Sequence, residues 1–339
     1  MAITIKDVAK AANVSTATVS KVINGSPSIS IKTVENVKHI MKELNYYPNS
    51  SAQNFARKST RNIVFATRLE RNTAFENPHM FEIMSGVGKY LSKKNYTMSI
   101  INIDEESRSD EIERIIAQKS ADGMVIHVSV VTKEMEYIIR KAEFPHIVIG
   151  CPSYESRLCW IDNNNYLSGE MAANHLVDQG YRNIAYIGGV EEDFISTHRL
   201  QGAITALAEK GLKITEEHIR CGESTRQEGY KMLESILLEP NRPDAIICSN
   251  NHIALGVMKS IKEHNIRIPE DMGVITFDDY PFSQITDPML SVVNIDVYDL
   301  GQQASKLMIN KIKKPNLQVQ TYTTLPNLII RESTINNKG

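Results

Sequence analysis

The sequence predicts a small helical head followed by an α/β core of two doubly wound lobes. Three observations carry this. Two helix starts with a turn between them sit close to the first residue. The charge balance changes sign near residue 60. From Ile63 onward, short β-branched runs alternate with amphipathic stretches, and the alternation restarts after Asn163. At 339 residues the chain is too long for one small core, which fits several domains.

In the head, Thr4 with Asp7 three residues on has capping-box spacing, so a first helix starts there with Val8, Ala9 and Ala12 inward. Asn13 tolerates a left-handed backbone and marks the turn. Ser15 then caps a second helix with Val19, Val22 and Ile23 inward and Thr16, Ala17, Ser20 and Lys21 outward. A helix whose outer face is short, polar and basic can enter a DNA major groove and reach base edges. The plainer alternative is a helical hairpin packed for stability alone. Gly25-Ser26-Pro27-Ser28 breaks the pattern, and Ser30 caps a third helix with Val34, Val37, Ile40, Met41 and Leu44 at helical spacing. Tyr46-Tyr47-Pro48-Asn49 ends it. The next residues, 50–58, are long enough for about two helical turns, marginal by themselves. The expected organisation is a head over 1–49, a hinge over 50–61 and a core over 62–333.

Strands are expected at Asn62–Ala66, Thr97–Ile103, Gly123–His127 and His146–Gly150, with helices at Met80–Lys94, Ser109–Lys119 and Lys133–Ala142 between them. Ser107 and Asp110 repeat the capping-box spacing. A second series follows: helix Tyr166–Gln179, strand Ile184–Gly188, helices Ser196–Lys210 and Thr225–Leu238, strand Ala245–Ser249, helix His252–His264 and strand Gly273–Phe277. Two such series imply two mostly parallel sheets, which bind ligands at the carboxyl ends of their strands.

Composition narrows the function. The chain is 42% hydrophobic and 23% charged, with no apolar run of membrane-spanning length and no signal-peptide pattern, so a cytoplasmic protein is expected. Residues 1–60 hold eight Lys/Arg against three acids, while the whole chain carries −2; a basic head on an acidic body is expected when only the head meets phosphate. The four cysteines have no CxxC spacing, so free thiols are expected and a disulfide or metal site is not. No GxGxxG opens a helix and no GxxxxGK[ST] is present, so neither a dinucleotide nor a P-loop site is supported. Nucleophile–base pairs and metal-ligand clusters are not evident, and no enzyme or cofactor is expected. Asp278 and Asp279 invite a paired-carboxylate reading, but adjacent strand residues point to opposite faces.

Several stretches, weak singly and specific in their order, resemble the LacI/GalR family of bacterial transcription regulators. They are Ile5-Lys6-Asp7-Val8-Ala9, Val14-Ser15, Thr18-Val19-Ser20, Asn45-Tyr46-Tyr47-Pro48-Asn49, Asn77-Pro78, Asp162-Asn163, Arg199-Leu200-Gln201-Gly202, Ala254-Leu255-Gly256, Phe277-Asp278-Asp279 and Asp299-Leu300-Gly301. The resemblance covers nearly the whole chain. It implies a helix-turn-helix head, a hinge helix and a periplasmic-binding-protein-like core whose chain crosses between lobes near Ile161–Asn163, Ser291–Ile295 and Thr323–Pro326. The lobes would then be about 62–161 with 295–323, and about 162–291 with 325–333. It also implies a homodimer on near-palindromic operator DNA; residues after Arg331 carry no leucine heptads of the kind that join dimers further.

Carried over by position, the resemblance assigns base reading to Thr16, Ala17 and Lys21, and backbone contacts to Thr4, Ser15, Thr18, Ser20 and Asn24. Lys21 stands where Arg is usual, keeping charge but losing the two-pronged donor. Ala52, Gln53 and Phe55 fall in the hinge, with Phe55 where a Leu usually wedges into the minor groove. Effector positions map onto Asp162, Arg199, Asn250 and Asp278, a set suited to sugar hydroxyls, with Phe75, Trp160, Phe194 and Phe282 as candidates for an apolar sugar face. The stretches around Phe75–Pro78, Asp162–Tyr166 and Arg199–Gly202 look like Gram-positive maltose-type operon repressors, which implies an α-glucoside such as maltose. His79-Met80 and Asn251 depart from that pattern. Two rival readings stand beside a sugar-responsive repressor: a global catabolite regulator with a phosphoprotein corepressor, and a solute receptor without a DNA role.

Overall fold

The computed structural model describes residues 3–47, 59–69, 71, 78–104, 108–315, 317 and 321–335. The hinge residues Ala52, Gln53 and Phe55, the candidate Phe75 and the cap residue Ser107 lie outside these, as does the side chain of Phe282.

Three helices form the head: α1 (Ile5–Ala11), α2 (Thr16–Ile23) and α3 (Ile31–Glu43). Each starts where a side chain satisfies a free backbone N–H. The Thr4 backbone N–H donates to Asp7 Oδ2 at 2.8 Å, completing a capping box; Thr18 N–H donates to Ser15 Oγ at 3.1 Å, and Thr33 N–H to Ser30 Oγ at 3.3 Å. Asn13 makes the turn with φ +54°. Val8, Ala9, Ala12, Val19, Val22 and Val37 form the buried centre, and Asn36 Nδ2 donates to the Ala12 carbonyl to close the end of α1.

The core holds two six-stranded sheets. The first contains β1 (Asn62–Thr67), β2 (Thr97–Asn102), β3 (Gly123–His127), β4 (His146–Ile149), β5 (Trp160–Asn163) and β11 (Thr321–Thr324), all parallel, in the order β11-β5-β4-β3-β1-β2. Helices α4 (Pro78–Lys93), α5 (Arg108–Gln118), α6 (Lys133–Lys141) and α12 (Val297–Lys313) cover it. The second contains β6 (Ile184–Gly188), β7 (Ile219–Cys221), β8 (Ala245–Cys248), β9 (Gly273–Phe277), β10 (Ser291–Asn294) and β12 (Asn327–Ile329), in the order β12-β10-β9-β8-β6-β7; only β12 runs antiparallel. Around it lie α7 (Asn165–Asp178), α8 (Phe194–Glu209), α9 (Arg226–Leu237), α10 (Asn251–Glu263) and the short α11 (Pro281–Gln284). The chain passes between sheets after Asn163, Asn294 and Thr324. We call the two halves the N-lobe and C-lobe.

Element ends differ from the pattern by a residue or two, and caps explain the shifts. Helix α8 begins at Phe194, not Ser196, because Asp193 Oδ1 accepts from both Ile195 and Ser196 N–H. Strands β5, β7, β10, β11 and β12 are three or four residues long, too short for alternation to reveal.

Helices α7 and α8 touch backbone to backbone. A methyl group at Gly169 would overlap the Arg199 carbonyl, and one at Gly202 the Tyr166 carbonyl. This contact sets the height of Arg199 over the sheet. Gly169→Ala is therefore expected to destabilise the C-lobe by about 1–3 kcal/mol; denaturant unfolding that leaves the midpoint in place would count against the contact.

Candidate functional site

Two surfaces collect the candidate residues. On the head, α2 buries Val19 and Val22 while Thr16, Ala17 and Lys21 stand exposed on its other side. Among the backbone candidates, Ser15 Oγ caps α2 and lies 2.9 Å from Thr18 Oγ1, while Thr4 Oγ1 donates to the Asp7 carboxylate; Ser20 is half-buried and Asn24 is exposed at the end of α2.

The second surface lies between the lobes, where strand ends face each other. Arg199, 3% exposed, rises from α8 at its centre. Its Nε donates to Asn165 Oδ1 at 3.2 Å and its Nη1 to the Ser249 carbonyl at 2.6 Å; Nη2 is 3.9 Å from Asp278 Oδ2. The guanidinium stacks on Phe277, 4.1 Å from the ring centroid. Arg199 is one of the four effector positions the resemblance assigns. Two of its donor groups hold the ends of β5 and β8, so it braces the site first and offers a ligand only its remaining N–H groups.

Asp278 follows the end of β9 with φ +70°. It is not within a strand; the left-handed turn separates it from Asp279, whose Oδ1 pairs with Arg331 Nη2 at 2.7 Å. Asp278 Oδ2 meets His79 Nε2 at 3.3 Å, from the first turn of α4 in the N-lobe. Burial raises the Asp278 carboxyl, but the charges of His79 and Arg199 outweigh it and hold the group below the usual carboxylate range. Asp162 goes the other way. Burial pushes it up, although its oxygens accept from the N–H groups of Cys151 and Asn163. Both carboxylates are thus anchored by the protein.

Beside Asp162 opens a cavity of about 370 Å³, lined by Val128, Ser129 and Cys151 from the N-lobe and by Glu192 and Phe194 from the C-lobe. Its size suits a small ligand. Phe194 is half-buried, its ring 3.7 Å from His198. Burial first, and Asp162 second, push the Cys151 thiol to about 11, so it is not a thiolate nucleophile at neutral pH.

The structure places two further candidates. Trp160 opens β5 at its amino end and packs on the N-lobe core with Val64, Met124 and Leu158, so it is turned away from the cleft. Asn250 caps α10, its Oδ1 accepting from Ile253 N–H at 3.0 Å; the deeper contact is made by Asn251, whose Nδ2 donates to the Phe277 and Asp278 carbonyls, both at 2.9 Å. Asn165, Ser249 and Tyr280 were not singled out as ligand candidates, and Asn251 was named only as a departure from the family pattern. Their shared signal is position: each follows the carboxyl end of a strand.

Among the described residues, nine buried side-chain polar atoms have no hydrogen-bond partner; six lie at or just after the strand ends around Arg199 and Asp278 (Asn163 Oδ1, Asn165 Nδ2, Ser249 Oγ, Asn251 Oδ1, Asp278 Oδ1 and Tyr280 Oη), and a seventh, Tyr154 Oη, belongs to a residue lining the cavity. Leaving a buried polar atom unpaired costs about 1–3 kcal/mol, so such a concentration calls for polar partners there, water or ligand.

Residues 4–49 match the family described as bacterial regulatory proteins, lacI family, and residues 173–334 match the periplasmic binding protein-like domain. The chain is 30% identical to the HTH-type transcriptional repressor PurR of Vibrio parahaemolyticus serotype O3:K6, over 97% of this chain and 98% of that one. It is 31% identical to the ribose operon repressor of Haemophilus influenzae, over the same shares. Among solved structures it is similar to a transcriptional regulator CelR–cellobiose complex, with a TM-score of 0.73 and 25% identity over 98% of this chain and 99% of that one.

His127, at the end of β3, supplies a pH test. Burial, and then the His79 charge, lower it from 6.5 to about 4. The unfolded chain therefore takes up this proton first: the contribution to stability is full above pH 6.5 and is lost as the pH falls toward 4. The slope is about 1.4 kcal/mol per pH unit. His146, also lowered to about 4 by burial, adds a second contribution of the same sign. His127→Gln should accordingly shrink, not abolish, the loss of stability between about pH 7 and 5 in urea unfolding; an unaltered slope would show that His127 is not buried neutral.

Proposed function

The chain belongs to the LacI family of bacterial regulatory proteins, and on that premise we propose that it is a cytoplasmic, sequence-specific transcriptional repressor whose operator affinity is set by a small sugar-like effector in the inter-lobe cleft. The observation that carries the effector half is the group of six unpartnered polar atoms around Arg199 and Asp278, beside a cavity of about 370 Å³. Asp162, Arg199 and Asp278 anchor that wall, Asn250 stands at the start of α10 with Asn251 behind it, and Phe194 offers an aromatic face. Hydroxyls both donate and accept, which answers a mixed set of acceptors and donors. An α-glucoside such as maltose is the first candidate.

The exposed face of α2 carries the DNA half, with Thr16, Ala17 and Lys21 reading bases. Thr4, Ser15, Thr18, Ser20 and Asn24 lie along the phosphate backbone, and Ala52, Gln53 and Phe55 enter the minor groove. The mechanism is a population shift. Two lobe arrangements present two hinge segments at different separations, and the effector moves the equilibrium by its differential affinity for them. A phosphoprotein corepressor is distinguished by whether a sugar alone changes operator affinity.

Operators with two half-sites need two heads, and we propose a homodimer paired through the C-lobe. A groove of about 760 Å³ there is lined by Leu255, Met258, Ile261 and Ile285, the last 75% exposed. Ile285→Arg should convert dimers to monomers in sedimentation velocity; an unchanged sedimentation coefficient would place the interface elsewhere.

A sugar panel read by thermal shift, followed by gel shift with each hit, tests the whole reading. At least one sugar is expected to raise the unfolding temperature and to change operator binding. Lys21→Ala should weaken operator binding about tenfold or more and flatten its salt dependence, with the thermal shift unaffected. Steep, Lys21-independent binding, or thermal shifts with no effect on DNA, would refute it.

A further inference from the structure

His79 and Asp278 face each other across the cleft from opposite lobes, and both are held stiffly. On the N-lobe side, α4 is fixed by Met80, Ile83 and Met84 in the core, and it meets α12 where a methyl at Gly86 would overlap the Tyr298 carbonyl. On the C-lobe side, Asp278 has its backbone in the left-handed region, its carbonyl accepts from Asn251 Nδ2, and its Oδ2 lies toward Arg199. His79 Nε2 reaches that same Oδ2 at 3.3 Å, and the imidazole stands edge-on to Tyr280 with centroids 4.3 Å apart and planes at 79°. His79 is only one-third exposed, and its partner carboxylate is almost fully buried.

We propose that His79 is a positioning residue of the cleft: with Asp278 it forms a latch that holds the two ligand-free lobes at the spacing where the unpartnered polar atoms converge. Two features support a hydrogen-bonded latch over mere packing. His79 engages one carboxylate oxygen and leaves the other, Oδ1, buried and without a partner, so the latch orients Asp278 and leaves it an acceptor. Tyr280, against the imidazole edge, likewise keeps its hydroxyl unpartnered. A phenyl ring at 79 would preserve the edge contact and lose the hydrogen bond; a glutamine amide would do the reverse.

Hydrogen exchange of the full, ligand-free chain, followed by mass spectrometry, tests this with His79→Phe, His79→Gln and Asp278→Asn. The cavity walls at 150–154 and 190–195 report on opening from the two sides. In His79→Phe both are expected to exchange about tenfold faster while β3 and β9 keep the parent's protection, and His79→Gln is expected to match the parent. Asp278→Asn keeps an acceptor but loses the charge, and should fall between them. The latch is overturned if His79→Phe leaves both walls unchanged, if exchange rises throughout the sheets as well, or if His79→Gln behaves like His79→Phe. Neither effector nor DNA is needed, so the outcome is independent of whether the cleft binds a sugar.

Discussion

A buried guanidinium organises the functional half of this molecule. Arg199 is almost fully enclosed, and a cation there is tolerable only because its surroundings answer it: the Asn165 amide oxygen, the Ser249 carbonyl, the Asp278 carboxylate and the Phe277 ring. Those partners come from the ends of β5, β8 and β9. One side chain thus ties together three strand ends that would otherwise be separate loops. Its height over the sheet follows from the close crossing of α7 and α8, so a packing contact between backbones becomes a constraint on the polar site.

The cleft follows from topology as much as from residues. Parallel strands direct their carboxyl ends one way, and the chain passes between the sheets three times. Backbone N–H groups and short polar side chains therefore gather where the lobes face each other. Anchoring Asp162 through Cys151 and Asn163, and Asp278 through His79 and Arg199, keeps both carboxylates in place before any ligand arrives. Preorganisation of this kind reduces the ordering cost of binding.

Much of the fold was legible in the chain because its signals are local. Thr4 with Asp7, Ser15, Ser30 and Asn13 each act within three residues, and each behaves in the structure as its chemistry suggests. The longer strands and helices likewise follow periodicity that adjacent residues define. The strands β5, β10 and β11, four residues each, escaped that logic: unlike the equally short β4 and β8, they are not continuous apolar runs. The site was legible only in part. Arg199 and Asp278 came from the family resemblance, position by position, and their charges suited the sugar hydroxyls it implies. The separate tasks of Asn250 and Asn251, and the inward turn of Trp160, depend on where a cap and a strand end fall, and a shift of one residue changes which side chain faces the cleft.

The sequence by itself determined the type and order of the longer elements, the polarity of α2 and the charge contrast between head and core, because each depends on residues close together along the chain. Only the tertiary structure decided which polar atoms meet. Arg199 joins residues 34 and 50 positions away, and His79 joins Asp278 from the other lobe. Hydrogen bonds demand atoms within about 3 Å at a defined angle, and no local pattern specifies that distance between remote segments.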